Sequence, residues 1–364
     1  MKMITLLNQK VKRESSFSSR LLLVTAFFLF VFAGSSTVQA QVTTIQNWTN
    51  LFNGTSTATQ NITYTVPAGS GSNRLLAVAI ATSQTAVGAR TITLTYGGRD
   101  LTLASGDLTV NSIRQHTAIY YLNEADLDLA SNSTLSFAIG GGTTRVTTVW
   151  AAVFDFVNQT TPITDSKNYN SGTTAVNSFA FGTALTINSN DQAVLVVSSL
   201  RSANNNPRTI NYATNFTDID EQTNTTTDGT RNGIANRSIP TASANSTCAT
   251  TFSGFGSGTA LASMTGMSIK ACVAPTVTAG SALSAICQGG TTSGLGGSVG
   301  GSATGGTWTS SAGGTFSPNA TTLNATWTPP SNYTGTATLT LTTSGGSCGV
   351  VQATKTQVVN PAPS

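Results

Sequence analysis

Charge is scarce in this chain. Lysine, arginine, aspartate and glutamate make up 8% of its 364 residues, against about a quarter in ordinary soluble domains. Acidic residues stop at Asp228, and beyond it only Arg231, Arg237, Lys270 and Lys355 are charged. Arg74, Arg90, Arg99 and Arg114 are scattered without interleaved aromatics. That leaves no basic stripe of the kind that holds a phosphate backbone, so nucleic acid is not expected as a partner. Histidine occurs once, at His116. Beside a strand start it reads as a hydrogen-bonded strand residue, and a Ser-His-Asp triad is recognised by geometry and not by one histidine's presence. No C-x-x-C occurs among the four cysteines, which argues against a zinc knuckle or a redox dithiol. No phosphate-cradling glycine loop appears. Gly296-Gly297-Ser298-Val299-Gly300 fits G-x-S-x-G in letters only, because a nucleophile elbow needs a strand before it and a helix after it. Helical period is almost missing: NEADLDLA (123–130) is the one helical turn.

In place of charge stand threonine, serine, asparagine and glycine. Threonine favours strands, and glycine and asparagine favour the turns between them. The alternating apolar runs that disorder lacks recur throughout. In RLLAVAIAT (74–82), Leu76, Val78 and Ile80 point one way and Leu75, Ala77 and Ala79 the other. A strand apolar on both faces is buried on both and belongs at the centre of a sheet. TITLTYGGRDLTLAS (91–105) reads as a hairpin around Gly97-Gly98. Further strands are expected at 116–122, 133–139, 146–157 and 192–200, with weaker ones in the polar stretch 201–247. Trp150, Ala152, Phe154 and Phe156 share one face and are assigned to the core. Many strands with polar turns and no alternating helices predict an all-β chain, an antiparallel jelly-roll-like β-sandwich followed by a smaller one.

The N-terminus is of another kind. Lys10, Lys12, Arg13 and Arg20 precede an apolar run, Leu21–Ala33, and a small-residue site, Val38-Gln39-Ala40. That order is a secretory signal peptide with cleavage near Ala40, and the run is short for a membrane span. The mature chain is then secreted or displayed at the cell surface, with no transmembrane helix. Removing residues 1–40 takes five of the 17 basic and one of the 13 acidic residues, which leaves twelve of each.

Within residues 60–165, the wording RLLAVAI, TLTYGGRDLTL, AIYYLNEADL and AVFDFVNQTTPI resembles a jelly-roll module of exported bacterial surface proteins. The likeness continues more loosely to Cys272, and the group carries no catalytic residues to transfer. From Ala274 the texture changes. ICQGGTTSGLGGSVGGSATGGTWTSSAGGTFSPNATTLNATWTPPSNYTGTATLTLTTSGGSCG resembles the PKD-like or Ig-like repeats of large exported proteins of gliding Gram-negative bacteria, over about residues 275–361. The resemblance implies a spacer from a tandem array. The expected division is a signal peptide at 1–40, a jelly-roll-like domain at 41–272, an Ig-like/PKD-like domain at 273–360 and a linker at 361–364, where the chain reads as truncated.

Four cysteines in an exported chain read as two disulfides with three connectivities. Cys248–Cys272 and Cys287–Cys348 keep each pair inside one expected domain, and Cys287, Trp308 and Cys348 follow the Cys…Trp…Cys order of immunoglobulin-like sandwiches. Trp48 and Trp327 lie in polar company and could stack on sugar rings, although Pro329-Pro330 and Tyr333 favour packing for Trp327. Asp218, Asp220, Glu221 and Asp228 cluster in a polar stretch. A solvated acidic turn is the simplest reading; they could also ligate Ca²⁺ or supply the two carboxylates of a glycosidase. The expected function is a non-enzymatic surface protein whose jelly-roll-like module contacts a glycan or another surface protein, with no resident cofactor. The alternatives are a structural segment of a longer surface protein and a carbohydrate-active enzyme.

Overall fold

The computed structural model describes residues 40–55, 58–69, 73–201, 209–212, 216–224, 229–238, 249–253 and 260–362. The expected signal peptide, Cys248 and Asp228 lie outside the described residues. Strands dominate, in line with the all-β expectation.

The first half of the mature chain runs β1 (Thr43–Gly54), β2 (Gln60–Thr63), β3 (Leu75–Gln84), β4 (Thr91–Tyr96), β5 (Arg99–Asp100), β6 (Thr102–Gly106) and β7 (Gln115–Asn123). A short helix α1 (Glu124–Asp128), β8 (Thr134–Gly140) and β9 (Thr144–Asp155) complete it. One sheet has the order β1-β9-β3-β7-β6 and the other β2-β8-β4-β5. Apart from β4–β5 and β6–β7, successive strands cross between the two sheets, which is the jelly-roll arrangement. The hairpin expected at Gly97-Gly98 forms, with Tyr96 opposite Arg99 and φ of 54° and 82° at the glycines. A Cβ at position 97 would stand 2.6 Å from Ala130 Cβ, so only glycine fits that turn. The expected helical turn is α1, capped by Asn123, whose Oδ1 accepts from Asp126 N at 3.1 Å.

The stretch read as one sandwich holds two. After β9 come β10 (Ile163–Asn170), β11 (Ser178–Ala180), β12 (Gln192–Arg201), β13 (Thr209–Tyr212), β14 (Thr217–Asn224), β15 (Gly229–Ser238), β16 (Ala249–Ser253) and β17 (Leu261–Ile269). Their sheets are β10-β17-β12-β15-β14 and β11-β16-β13. With β10 for β1, β11 for β2, β12 for β3, β13 for β4, β14 for β6, β15 for β7, β16 for β8 and β17 for β9, the two orders coincide; among the described residues only β5 lacks a counterpart. Registers coincide too. Leu75 faces Asn123 and Phe154, and Gln192 faces Ser238 and Ile269.

The two five-stranded sheets pack on each other. Leu75, Ala77, Ala79, Trp150, Ala152 and Phe154 meet Val194, Val196, Ile234, Met267 and Ile269 in one apolar layer. On the opposite side of β3, Leu76, Val78 and Ile80 pack on Leu94, Leu135 and Phe137 of the first roll's outer sheet. Ala193, Leu195 and Val197 of β12 do the same with Phe179 and Ile210. Hence both central strands are buried on both faces, as the doubly apolar run at 74–82 predicts. Each fully buried large side chain contributes roughly 1.5–3 kcal/mol. The shared layer therefore joins the rolls as strongly as a domain core. Trp150, Ala152 and Phe154 line it as expected, but Phe156 does not: β9 ends at Asp155, and Phe156 turns to φ 59° with its ring half-buried.

Interface contacts recur when the copies are exchanged. β6 lies against β10, and its counterpart β14 against β1. Thr117 and Ser263 share a hydrogen bond at 2.7 Å. Their equivalents, Asn232 and Thr148, do so at 2.8 Å. Such an isologous contact is what a symmetric dimer makes; here both halves lie in one chain.

A third sandwich follows. Sheet β19-β25-β24-β21, from β19 (Ile286–Cys287), β21 (Gly305–Ser310), β24 (Gly335–Ser344) and β25 (Gln352–Asn360), covers Trp308, Trp327, Leu339 and Leu341. Opposite it are the pairs β18 (Pro275–Thr278) with β20 (Ser298–Gly301) and β22 (Thr315–Ser317) with β23 (Thr326–Thr328).

Both expected disulfides are overturned. Cys272 bonds Cys348, with Cα atoms 5.3 Å apart, and Cys287 is a free, exposed thiol. Geometry explains why. Cys348 lies in the turn before β25, whereas Cys287 pairs with Asn360 at that strand's far end, nine residues and roughly 30 Å away. Disulfide partners need Cα atoms within about 7 Å. Cys272, just after β17, is the cysteine that reaches the turn, so the bond ties the second roll to the third sandwich.

Candidate functional site

The acidic residues do not form an open turn. Asp218, Asp220 and Glu221 belong to β14, paired with β15 through Ala235, Ile234 and Gly233. A register shift between Asp218 and Asp220 places consecutive carboxylates on different faces. Asp220 turns into the roll–roll interface, where its Oδ2 accepts from Trp150 Nε1 at 2.7 Å and from Gln222 Nε2 at 2.9 Å. Glu221 turns to the other face, into the second roll beside Tyr212 and Ile210, where it pairs with Arg231 and burial pushes its pKa up despite that cation. Asp218 remains on the exposed side of the strand. Among the described residues no group of three or more histidine, cysteine, aspartate or glutamate side chains could hold a metal ion. The Ca²⁺ expectation therefore finds no ligand set in Asp218, Asp220 and Glu221.

Trp48 is not available for stacking on a sugar. It lies 6% exposed in the shared apolar layer, with its ring edge-to-face on Phe154 at 6.0 Å. β1 carries irregular register around it, between Gln46 and Thr49. Trp327 is wholly buried and donates from Nε1 to the carbonyl of Gly313 at 2.9 Å, the packing role its prolines suggest. His116 is likewise buried, with Nε2 at 3.2 Å from Gln84 Nε2 and no serine on that nitrogen. Burial lowers its pKa.

An open site lies elsewhere, where the edge strands β6 and β10 of the two rolls meet. Side chains bridge these edges in place of a backbone ladder. Ser166 Oγ donates to Ala104 O at 3.1 Å, and Asn168 Nδ2 to Gly106 O at 3.1 Å. Beside the bridge a cleft of about 310 Å³ is lined by Ser105, Ser166, Lys167, Asn168, Phe181, Gly182 and Thr183. That volume is at the small end of ligand pockets. Lys167 is neutralised by Asp165 at 2.6 Å, and Asp165 is itself held by Thr186 N at 2.9 Å. The cleft thus offers hydroxyl, amide and backbone groups with little net charge. Sequence reasoning passed over it because serine and asparagine are everywhere in this chain; Lys167, one of few charges, was the only local signal.

No protein-family model matches the chain, and no curated protein is similar to it. Among solved structures, the protocadherin GammaB4 extracellular domain is similar over 74% of this chain and 43% of that one, at 13% identity and TM-score 0.22. A likeness at that level carries no argument about this chain. Among the described residues no helix is long and apolar enough to cross a membrane.

Proposed function

We propose that the chain is an exported, non-enzymatic surface protein. Its fused pair of jelly rolls contacts an uncharged glycan through the β6/β10 cleft, and the third sandwich carries that pair as a spacer. The observation that carries the binding role is the cleft itself, whose hydroxyl and amide lining and neutralised lysine suit a polyhydroxylated, uncharged ligand. Export is supported by the signal-peptide pattern of residues 1–40 and by the disulfide, since such bonds persist in oxidising compartments. The resemblance to bacterial surface modules and PKD-like repeats points the same way.

The test is binding of residues 41–364 to a broad glycan array, with Asn168→Ala and Lys167→Ala as site variants. Specific binding that both variants weaken supports the reading. Silence across the array, or binding indifferent to both variants, removes the cleft from the account and favours a purely structural segment. The disulfide supports that second reading by tying the rolls to the spacer. A glycosidase acting through 218–221 would lose turnover in Asp220→Asn. Trp150 already holds this carboxylate inside the interface, so the expected result is no change in any glycan turnover.

A further inference from the structure

The roll–roll interface has two ends that correspond when the copies are exchanged, and one residue breaks the correspondence. At the β1/β14 end, Asn53 Nδ2 donates to Gln222 Oε1 at 3.2 Å. At the β6/β10 end, Asn170 Nδ2 donates to Asp107 Oδ2 at 2.7 Å. The ladders make these the same bond. Asn53 lies opposite Thr148 and Asn170 opposite Ser263, which are equivalent residues of β9 and β17. Asp107 and Gln222 follow Gly106 and Glu221, which face the equivalent Ala118 and Gly233. A neutral amide therefore holds one end, and a carboxylate, 4% exposed, holds the other.

Asp107 gathers two further donors. Ser263 Oγ reaches Oδ2 at 2.7 Å, and Thr117 N reaches Oδ1 at 2.9 Å. Two of its three partners, Asn170 and Ser263, belong to the second roll. His116 in β7 brings Nδ1 to 3.9 Å from Oδ1, and burial lowers the pKa of that imidazole. Arg90, on the same side, directs its guanidinium to the carbonyls of Ser83, Gly141 and Gly142. From β10 the charges are Lys167 and Asp165, paired with each other. From β17 only the hydroxyls of Ser263 and Thr265 approach this end.

We propose that Asp107 is a proton-operated latch between the two jelly rolls, which tightens the β6/β10 end of their interface when it takes up a proton. Burial outweighs the hydrogen bonds and pushes its pKa from the ordinary 3.8 to about 6. A carboxyl whose folded pKa lies above its unfolded one contributes stability that is full below the unfolded value and lost as pH rises through the folded value. The window is therefore from about 4 to about 6. His116 works in the opposite sense, because its lowered pKa costs stability as pH falls below the ordinary 6.5. At the other end Gln222, the counterpart of Asp107, has no proton to exchange, and the carboxylate beside it, Asp220, takes donors from Gln222 and Trp150. The latch acts whether or not the neighbouring cleft holds a ligand.

Thermal unfolding of residues 41–364 from about pH 4 to about pH 8, wild type beside Asp107→Asn, isolates the latch, because His116 is common to both. The variant should melt several degrees above wild type at the alkaline end, and the gap should close or reverse toward the acid end. A gap that stays constant with pH overturns the proposal. Should the variant fail to fold, ¹³C-carboxyl titration of wild type decides: a midpoint for Asp107 raised above the ordinary 3.8 toward 6 upholds the latch, and one not raised above 3.8 refutes it.

Discussion

On the rung through Ala79, the first roll turns Trp150 into the shared layer, whereas the matching rung through Val196 in the second roll carries Thr265. One rung further, Thr117 and Thr148 flank Ala81, where Asn232 and Ser263 flank Ser198. Leu75 answers to Gln192 and Phe154 to Ile269. At Trp150, Leu75 and Phe154 the first roll presents a bulkier or more apolar group than the second, whereas Ala79 is smaller than its counterpart Val196 and the rung through Ala81 is small or polar in both. Strand order, register and interface are nevertheless the same. What both copies share is a central strand with apolar side chains on both faces. A sheet carrying such a strand must be covered on each side, and in this chain the second cover is the other copy.

The largest effect expected from this difference is at the unequal rung. Trp150→Ala should cost about 3–5 kcal/mol in urea unfolding, as a large buried ring is lost. Thr265→Ala, its counterpart, should cost only about 1 kcal/mol, the worth of a hydrogen bond. Equal costs would mean that the layer is not shared as described. Next comes the bond that sets the second roll apart from the first. Reducing Cys272–Cys348, separated by 76 residues, should cost up to about 4.5 kcal/mol by chain entropy. A non-reducing peptide map that joins Cys272 to Cys248 instead would refute the assigned pairing.

Gly266 and Ala151 also occupy matching positions, opposite Leu195 and Val78. A Cβ at 266 would stand 2.7 Å from Phe181 Cζ, so Gly266→Ala should destabilise by about 1–3 kcal/mol through overpacking, while position 151 already carries its methyl. A neutral result there would show that the second roll is looser than the first. The smallest effect is at the cleft. Lys167→Ala breaks a partly exposed ion pair and should cost under about 1 kcal/mol. Any ligand binding it abolishes is then not lost through unfolding.

Much of the fold was legible in the alternation of residues 74–82, the Gly97-Gly98 hairpin and the single helical turn, because each is a local pattern with a local cause. The duplication was not. NRLLAVAIATSQ (73–84) and NDQAVLVVSSLR (190–201) occupy the same place in the two rolls and share one identical position, the leading asparagine. A repeat kept by burial and register leaves little trace in residue identity. The disulfide was misread because domain membership was allowed to decide a question of distance. Trp48 was misread because its polar neighbours do not show that the second roll covers its face of β1. The carboxylates of β14 were visible as a cluster, but which face each takes depends on a shift of one residue.

Amide hydrogen exchange of residues 41–364, following β3 and β12 side by side, tests the shared layer most directly. Opening either sheet exposes the same apolar surface, so both strands should belong to one cooperative unit. The account predicts that 76–83 and 193–200 are the last amides to exchange and do so at a common rate. Release of β12 while β3 stays protected would contradict it, because the rolls would then be two independent domains in mere contact.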